Sequence, residues 1–168
     1  MRFQKTEILH SVTNQPIFTV SASKSSLSGK KSHFILYRHW IGAPLGSFRL
    51  SSLDPSNIAL DVNGVPNKLK DDSMLSGSTW SFHPLSFPGK KWIWKRKDEK
   101  FTLVDQSGVV VATVVEGNLA VEPLGLGEGA VDEVVVSGYA MWQRRRREKG
   151  EVEEAEAVGE VISAIAGA

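Results

Sequence analysis

Between Ile8 and about Glu122, short apolar runs rich in β-branched and aromatic residues are punctuated by turn formers at fairly regular intervals. This spacing predicts nine strands: Pro16–Ala22, His33–His39, Gly46–Leu50, Ile58–Val62, Thr79–His83, Lys91–Lys97, Phe101–Asp105, Val109–Val115 and Leu119–Glu122. The punctuation has a mechanism. Asn63-Gly64, Asp98-Glu99, Gln106-Ser107-Gly108 and Glu116-Gly117-Asn118 supply residues that tolerate tight backbone geometry, so consecutive antiparallel hairpins follow. Ser21–Ser32, with six serines and three lysines, reads as a long polar loop, as do Leu53–Asn57 and Pro66–Gly77. No internal repeat of solenoid or propeller length is present.

The pattern changes after Pro123. Leu124–Gly129 is a glycine-rich connector leading into a predicted helix over Ala130–Lys149. Asp132 and Glu133 are placed in its first turn and Arg144 to Arg147 in its last, the order that complements the helix macrodipole. Between them Val134 to Trp142 is apolar except for Ser137 and Gly138, so no face of that stretch is polar and the helix must be enclosed. The run Val134-Val135-Val136 is a poor helix former, and a strand is the competing assignment.

Composition narrows the class. A chain of 168 residues suits one domain plus a tail, since domains commonly run to about 100–150 residues. With 41% hydrophobic residues and five tryptophans there is enough apolar mass for a core. The absence of cysteine removes disulfides, thiolate nucleophiles and zinc–thiolate sites, and fits an intracellular location. Residues 1–7 lack the apolar stretch of a secretory signal, and no run approaches the roughly 18 apolar residues of a spanning helix, so a soluble or peripheral protein is expected. The net charge of +1 conceals an asymmetry. Residues 1–149 hold all 20 basic residues against 14 acidic ones and carry +6, whereas residues 150–168 hold five glutamates and no Lys or Arg. A basic domain over 1–149 followed by an acidic, Ala/Glu-rich tail over 150–168 is the expected organisation.

Catalytic chemistry has no visible candidate. Ser28–Ser32 departs from a P-loop at both the leading glycine position, Lys24, and the position after Gly-Lys, Lys31. Gly125–Gly129 resembles a dinucleotide loop, yet only 39 residues remain after it and no βαβ unit follows. His33 and His39 are six residues apart on one strand face, roughly 20 Å, too far to share a metal. His10 and His83 are isolated, and Asp71-Asp72 and Asp98-Glu99 read as solvated turn acids. No metal or cofactor is implied.

Two basic clusters remain. In Lys90–Lys97, strand alternation sends Lys91, Ile93, Lys95 and Lys97 to one face and Trp92, Trp94 and Arg96 to the other. The tryptophans are then either core, with lysines coating the outside, or an exposed stacking platform for single-stranded nucleic acid. The second cluster, Arg144, Arg145, Arg146 and Arg147, is either a solvated helix end or a seat for anionic headgroups.

The run Trp92-Ile93-Trp94, then Phe101–Gly108, Val110–Val114 and Asp132–Arg147 resembles a family of uncharacterised fungal proteins. That family is in turn similar to the tubby carboxy-terminal fold, shared with plant LURP-one-related proteins and phospholipid scramblases. The resemblance covers residues 91–147 well and most of 8–149 loosely. It implies a mainly β architecture: a closed antiparallel barrel of about twelve strands enclosing a hydrophobic C-terminal helix. Tubby proteins bind phosphoinositides, but no pocket is matched here residue by residue. The functional expectation is a non-enzymatic, tubby-like domain that binds anionic membrane lipid peripherally, with Lys91, Lys95, Lys97 and Arg144 to Arg147 as the candidate anion contacts. The alternatives are a nucleic-acid module built on Trp92 and Trp94, and a protein-interaction scaffold whose acidic tail recruits a partner.

Overall fold

Twelve antiparallel strands close into a barrel around one helix in a computed structural model, which describes residues 1–4, 6–24, 31–51, 56–73 and 79–150. The strands are β1 (Arg2–Phe3), β2 (Glu7–Leu9), β3 (Pro16–Lys24), β4 (Lys31–Arg38), β5 (Pro44–Ser51) and β6 (Asn57–Val62). The second half contributes β7 (Val65–Asp71), β8 (Thr79–Phe82), β9 (Trp92–Lys97), β10 (Lys100–Asp105), β11 (Val110–Val115) and β12 (Asn118–Val121), followed by α1 (Glu128–Glu148). Each strand pairs with its neighbours in sequence, and the ring closes where β1 meets β12, with Arg2 opposite Asn118. Among the described residues every strand has a paired neighbour on each side, which is how closure removes the exposed edges of an open sheet.

All nine predicted strands are present, and the three additional ones are β1, β2 and β7. The first two have only two and three residues, too short to show alternation. The third overturns the loop expected at Pro66–Gly77. Asn63 and Gly64 both adopt positive φ (52° and 81°), the geometry of a two-residue hairpin turn, and it leads straight into β7. Of the β7 side chains only Leu69 is buried. Its outward neighbours are polar, so the strand carries almost no hydrophobic signal. The expected loop Ser21–Ser32 is shortened from both sides by β3 and β4, and the Leu53–Asn57 loop gives up Asn57 to β6. The remainder of those loops, most of the P-loop-like Ser28–Ser32 stretch and the acidic tail beyond Gly150 lie outside the described residues.

The helix is enclosed, as its all-apolar middle requires. Val134 to Met141 are buried on every side, and the largest fully buried side chains of the wall, Trp80, Trp94 and Phe48, face it. Enclosure by the wall overrides the weak helix propensity of three consecutive valines, since packing decides where propensities differ by less than about 1 kcal/mol. Most polar side chains within this core are matched, whereas the buried Trp80 indole N–H has no hydrogen-bond partner among the described residues. Trp94 Nε1 donates to Ser137 Oγ at 3.1 Å, and Gln143 donates to the Tyr139 hydroxyl, which donates to the Gln4 carbonyl at 2.8 Å. Burial pushes the Tyr139 phenol well above its ordinary range. On the wall, Gly46 lets β5 approach the helix, because a Cβ there would meet the Asp61 carbonyl oxygen and, at 2.9 Å, Val136 Cγ2.

An up-and-down barrel alternates its connections between two rims. The helix enters at the rim bearing residues 10–15, 39–43, 63–64, 83–91, 106–109 and 122–127, and leaves at the rim bearing 98–99 and 116–117. The helix begins at Glu128, two residues earlier than predicted, which moves Asp132 and Glu133 out of the first turn and into the barrel. Both are buried, at 4% and 2% exposure. Asp132 accepts two bonds from Arg38 (2.9 and 2.7 Å) and one from Asn63 (2.9 Å), and Glu133 accepts the Leu85 and Ser86 amides at 2.6 and 2.8 Å. These carboxylates fasten the helix to the entry rim, a stronger role than interaction with a macrodipole.

Candidate anion-binding surface

Alternation along β9 separates its two chemistries as predicted. Trp92 and Trp94 point inward, at 3% and 0% exposure, whereas Lys95 and Lys97 stand exposed on the outer wall. Register carries the lysines onto neighbouring strands. Lys97 lies opposite Lys100 on β10, and Lys95 lies between Thr79 on β8 and Thr102 on β10. On β7, Lys68 and Lys70 flank the inward Leu69 and point out, with Lys70 opposite Ser81. The result is a band of ammonium groups across the outside of β7 to β10. Among the described residues, Lys68, Lys70, Lys95, Lys97 and Lys100 have no carboxylate partner.

Lys91 belongs to the same wall but is committed. Its Nζ lies 2.7 Å from Asp72, which also accepts a hydrogen bond from Ser81 at 2.5 Å. The bonds from Lys91 and then Ser81 hold the Asp72 carboxyl below the usual carboxylate range. Asp72 is therefore an ion-paired acid rather than a freely solvated one.

The four arginines are drawn into the exit rim, each by a different contact. Arg144 stacks over Trp80, 4.2 Å from the ring centre, and sits 3.2 Å from Glu148. Burial lowers its pKa. Arg145 bonds Glu99 at 2.7 Å, Arg146 lies 4.9 Å over Trp142, and Arg147 reaches the Leu50 carbonyl at 3.4 Å. Lys149 also bonds Glu99, at 2.9 Å, and Arg96 bonds Glu148 at 2.7 Å. Glu99 was expected to be a solvated turn acid; its bonds from Arg145 and then Lys149 lower its pKa to about 2. A cavity of about 350 Å³ opens beside this cluster, floored by Phe101, Val114 and Trp142. Trp142 is only half-buried there, so the enclosed part of the helix ends one residue before it, apart from Gln143.

The seven candidate residues thus divide. Lys95 and Lys97 join an open band that also includes Lys68, Lys70 and Lys100, three lysines the sequence did not single out. Lys91 and the arginines are engaged within the fold. Among the described residues no three His, Asp or Glu side chains gather as a metal site. Gly125–Gly129 leads from an antiparallel barrel into α1, without the parallel strand that a dinucleotide loop requires. No helix among the described residues is long and apolar enough to cross a membrane. No protein-family model, no curated protein and no solved structure matches the chain.

Proposed function

We propose that this barrel is a non-catalytic docking domain that associates peripherally with anionic phospholipid surfaces through the lysine band on β7 to β10. The observation that carries the reading is the set of five exposed lysines without carboxylate partners among the described residues, on a wall whose inward side is filled by Trp80, Trp92 and Trp94. Ammonium groups spread across the outside of β7 to β10 suit a surface of many weak phosphate contacts; of the five, Lys68 also lines a cavity beside Arg49 and Asn67. Kinship with the tubby-like barrels is part of the proposal, and the strand number and the enclosed C-terminal helix support it. The nucleic-acid alternative needs exposed tryptophan rings, and both rings it invoked are turned inward.

Cosedimentation with vesicles containing phosphatidylserine tests the proposal. Each lysine near such a surface contributes about 1 kcal/mol, so the double variant Lys95→Gln/Lys97→Gln should bind about 30-fold more weakly. Binding should also fade as salt rises from 0.1 to 1 M and the Debye length shrinks from about 10 to about 3 Å. No binding at low salt, or binding unchanged by the double variant, overturns the reading.

A further inference from the structure

Ten large apolar side chains are exposed among the described residues; seven lie on the rim where the helix enters, and Val65 and Val110 are the first strand residues next to it, leaving Val115 at the other end. Three stand out: Val12 at 81%, Trp40 at 76% and Ile41 at 73% exposure. They occupy the tips of two neighbouring turns, joined by the bond from the His39 amide to the Ile17 carbonyl (2.9 Å) and by a shared cleft lined by His10, Gln15, Ile17 and Trp40. Side chains that keep three quarters of their surface form a convex prong rather than a flat patch. A prong of this kind is enclosed by a medium that flows around it, whereas a protein partner would need a matching pocket.

The surroundings fit the boundary of a bilayer. The two segments, residues 10–17 and 38–44, contain no carboxylate that would have to be desolvated. Part of their backbone is satisfied internally: the His10 amide bonds Gln15, the Asn14 amide bonds His10, and the Ile41 and Gly42 amides both bond the Arg38 carbonyl. The headgroup region, unlike the hydrocarbon core, holds water and polar groups that can partner the remaining amides and carbonyls of the tips. Tryptophan is the side chain most at home at that depth, with an apolar body and one polar N–H.

We propose that the Val12, Trp40 and Ile41 tip inserts into the interfacial layer of a phospholipid bilayer, as a hydrophobic contact separate from the lysine band. The inference rests on the membrane reading above but concerns a different face. β3 and β9 stand six places apart in a ring of twelve, so the tip and the band lie across the barrel from each other and do not meet one flat bilayer together. Contact through the tip is consequently independent of lipid charge.

The test uses the full chain with phosphatidylcholine vesicles carrying brominated acyl chains, which quench tryptophans that reach the acyl boundary. Trp40 is the reporter, because Trp80, Trp92 and Trp94 are buried and Trp142 is half-buried. Quenching with a blue shift is expected, absent in Trp40→Ser, and Val12→Ser/Ile41→Ser should weaken partitioning by at least about tenfold while Trp40 remains. Persistence of the quenching in Lys95→Gln/Lys97→Gln supports the tip even if the lysine reading fails. Salt-sensitive binding to phosphatidylserine vesicles without any quenching of Trp40 leaves the lysine reading standing and overturns this one. Self-association without lipid, abolished by Trp40→Ser, also overturns it by making a second copy the occupant.

Discussion

Replacing Gly46 by alanine probes the closest approach between wall and helix. The added methyl would press on the Asp61 carbonyl oxygen across the β5–β6 pair and lie 2.9 Å from Val136 Cγ2. Neither neighbour yields easily: the first is ladder backbone, and the second belongs to a β-branched residue in the fully buried middle of α1. Overpacking of this kind costs about 1–3 kcal/mol, and the smaller unfolded-state entropy of alanine returns about 0.4–1 kcal/mol, so a net loss of about 1–2 kcal/mol is expected. At about 2–4 °C per kcal/mol for a chain of this size, Tm falls by roughly 2–8 °C. Gly138→Ala supplies the control. Its methyl would make ordinary contacts, 3.4 Å to Trp94 and 3.6 Å to Val114, in a helix where alanine is favoured by about 1 kcal/mol. Urea titrations of the two variants should move in opposite directions, or Gly138→Ala should stay at the parent value while Gly46→Ala falls. Equal midpoints for Gly46→Ala and the parent would refute the packing described for β5 against α1.

Glu133→Gln replaces a carboxylate that accepts two backbone amides by a group with one acceptor oxygen, and should cost about 2–3 kcal/mol, with limited proteolysis first cutting within residues 83–91. Acid should weaken the exit rim: the Glu99 carboxyl falls from 4.5 when unfolded to about 2 when folded, so its contribution is complete above about pH 4.5 and disappears as pH drops towards 2. Urea midpoints between pH 6 and pH 3 should therefore decline less steeply in Glu99→Gln than in the parent, and identical slopes would show that the pairs with Arg145 and Lys149 do not stabilise the fold. Trp142→Ala should cost about 1–3 kcal/mol by thermal unfolding, less than the 3–5 kcal/mol of a fully enclosed ring, because Trp142 stays partly exposed although Phe3, Tyr139 and Arg146 pack on it.

Legibility followed burial on a single face. Trp92–Lys97 alternates cleanly because its inward side touches the helix and its outward side meets water, and its faces were read correctly residue by residue. β7 escaped because Leu69 is its one buried side chain and Pro66, Lys68 and Lys70 write the signature of a loop. Asp132 and Glu133 were misplaced because charge near a helix start suggests a dipole interaction. Their adjacency to an apolar stretch was the available signal: an enclosed helix draws its flanking acids inside, where they need partners from distant strands. The arginines illustrate the opposite limit. Nothing local in Arg144 to Arg147 announces Trp80, Glu99 or Leu50, which reach the exit rim from three other strands or turns, so a run that reads as one anion site is partitioned among internal contacts.

The seam between the first and last strands sets an order of assembly. Arg2 waits for Asn118, so about 116 residues of chain must be gathered before the ring is joined, a long-range event of the kind that slows folding. The helix is made later still, yet it occupies the interior that Phe48, Trp80 and Trp94 line. A nascent chain stopped before Glu128 would surround a vacancy, and the wall by itself has nothing to fold around. The segment synthesised after all twelve strands is therefore the template on which they wrap.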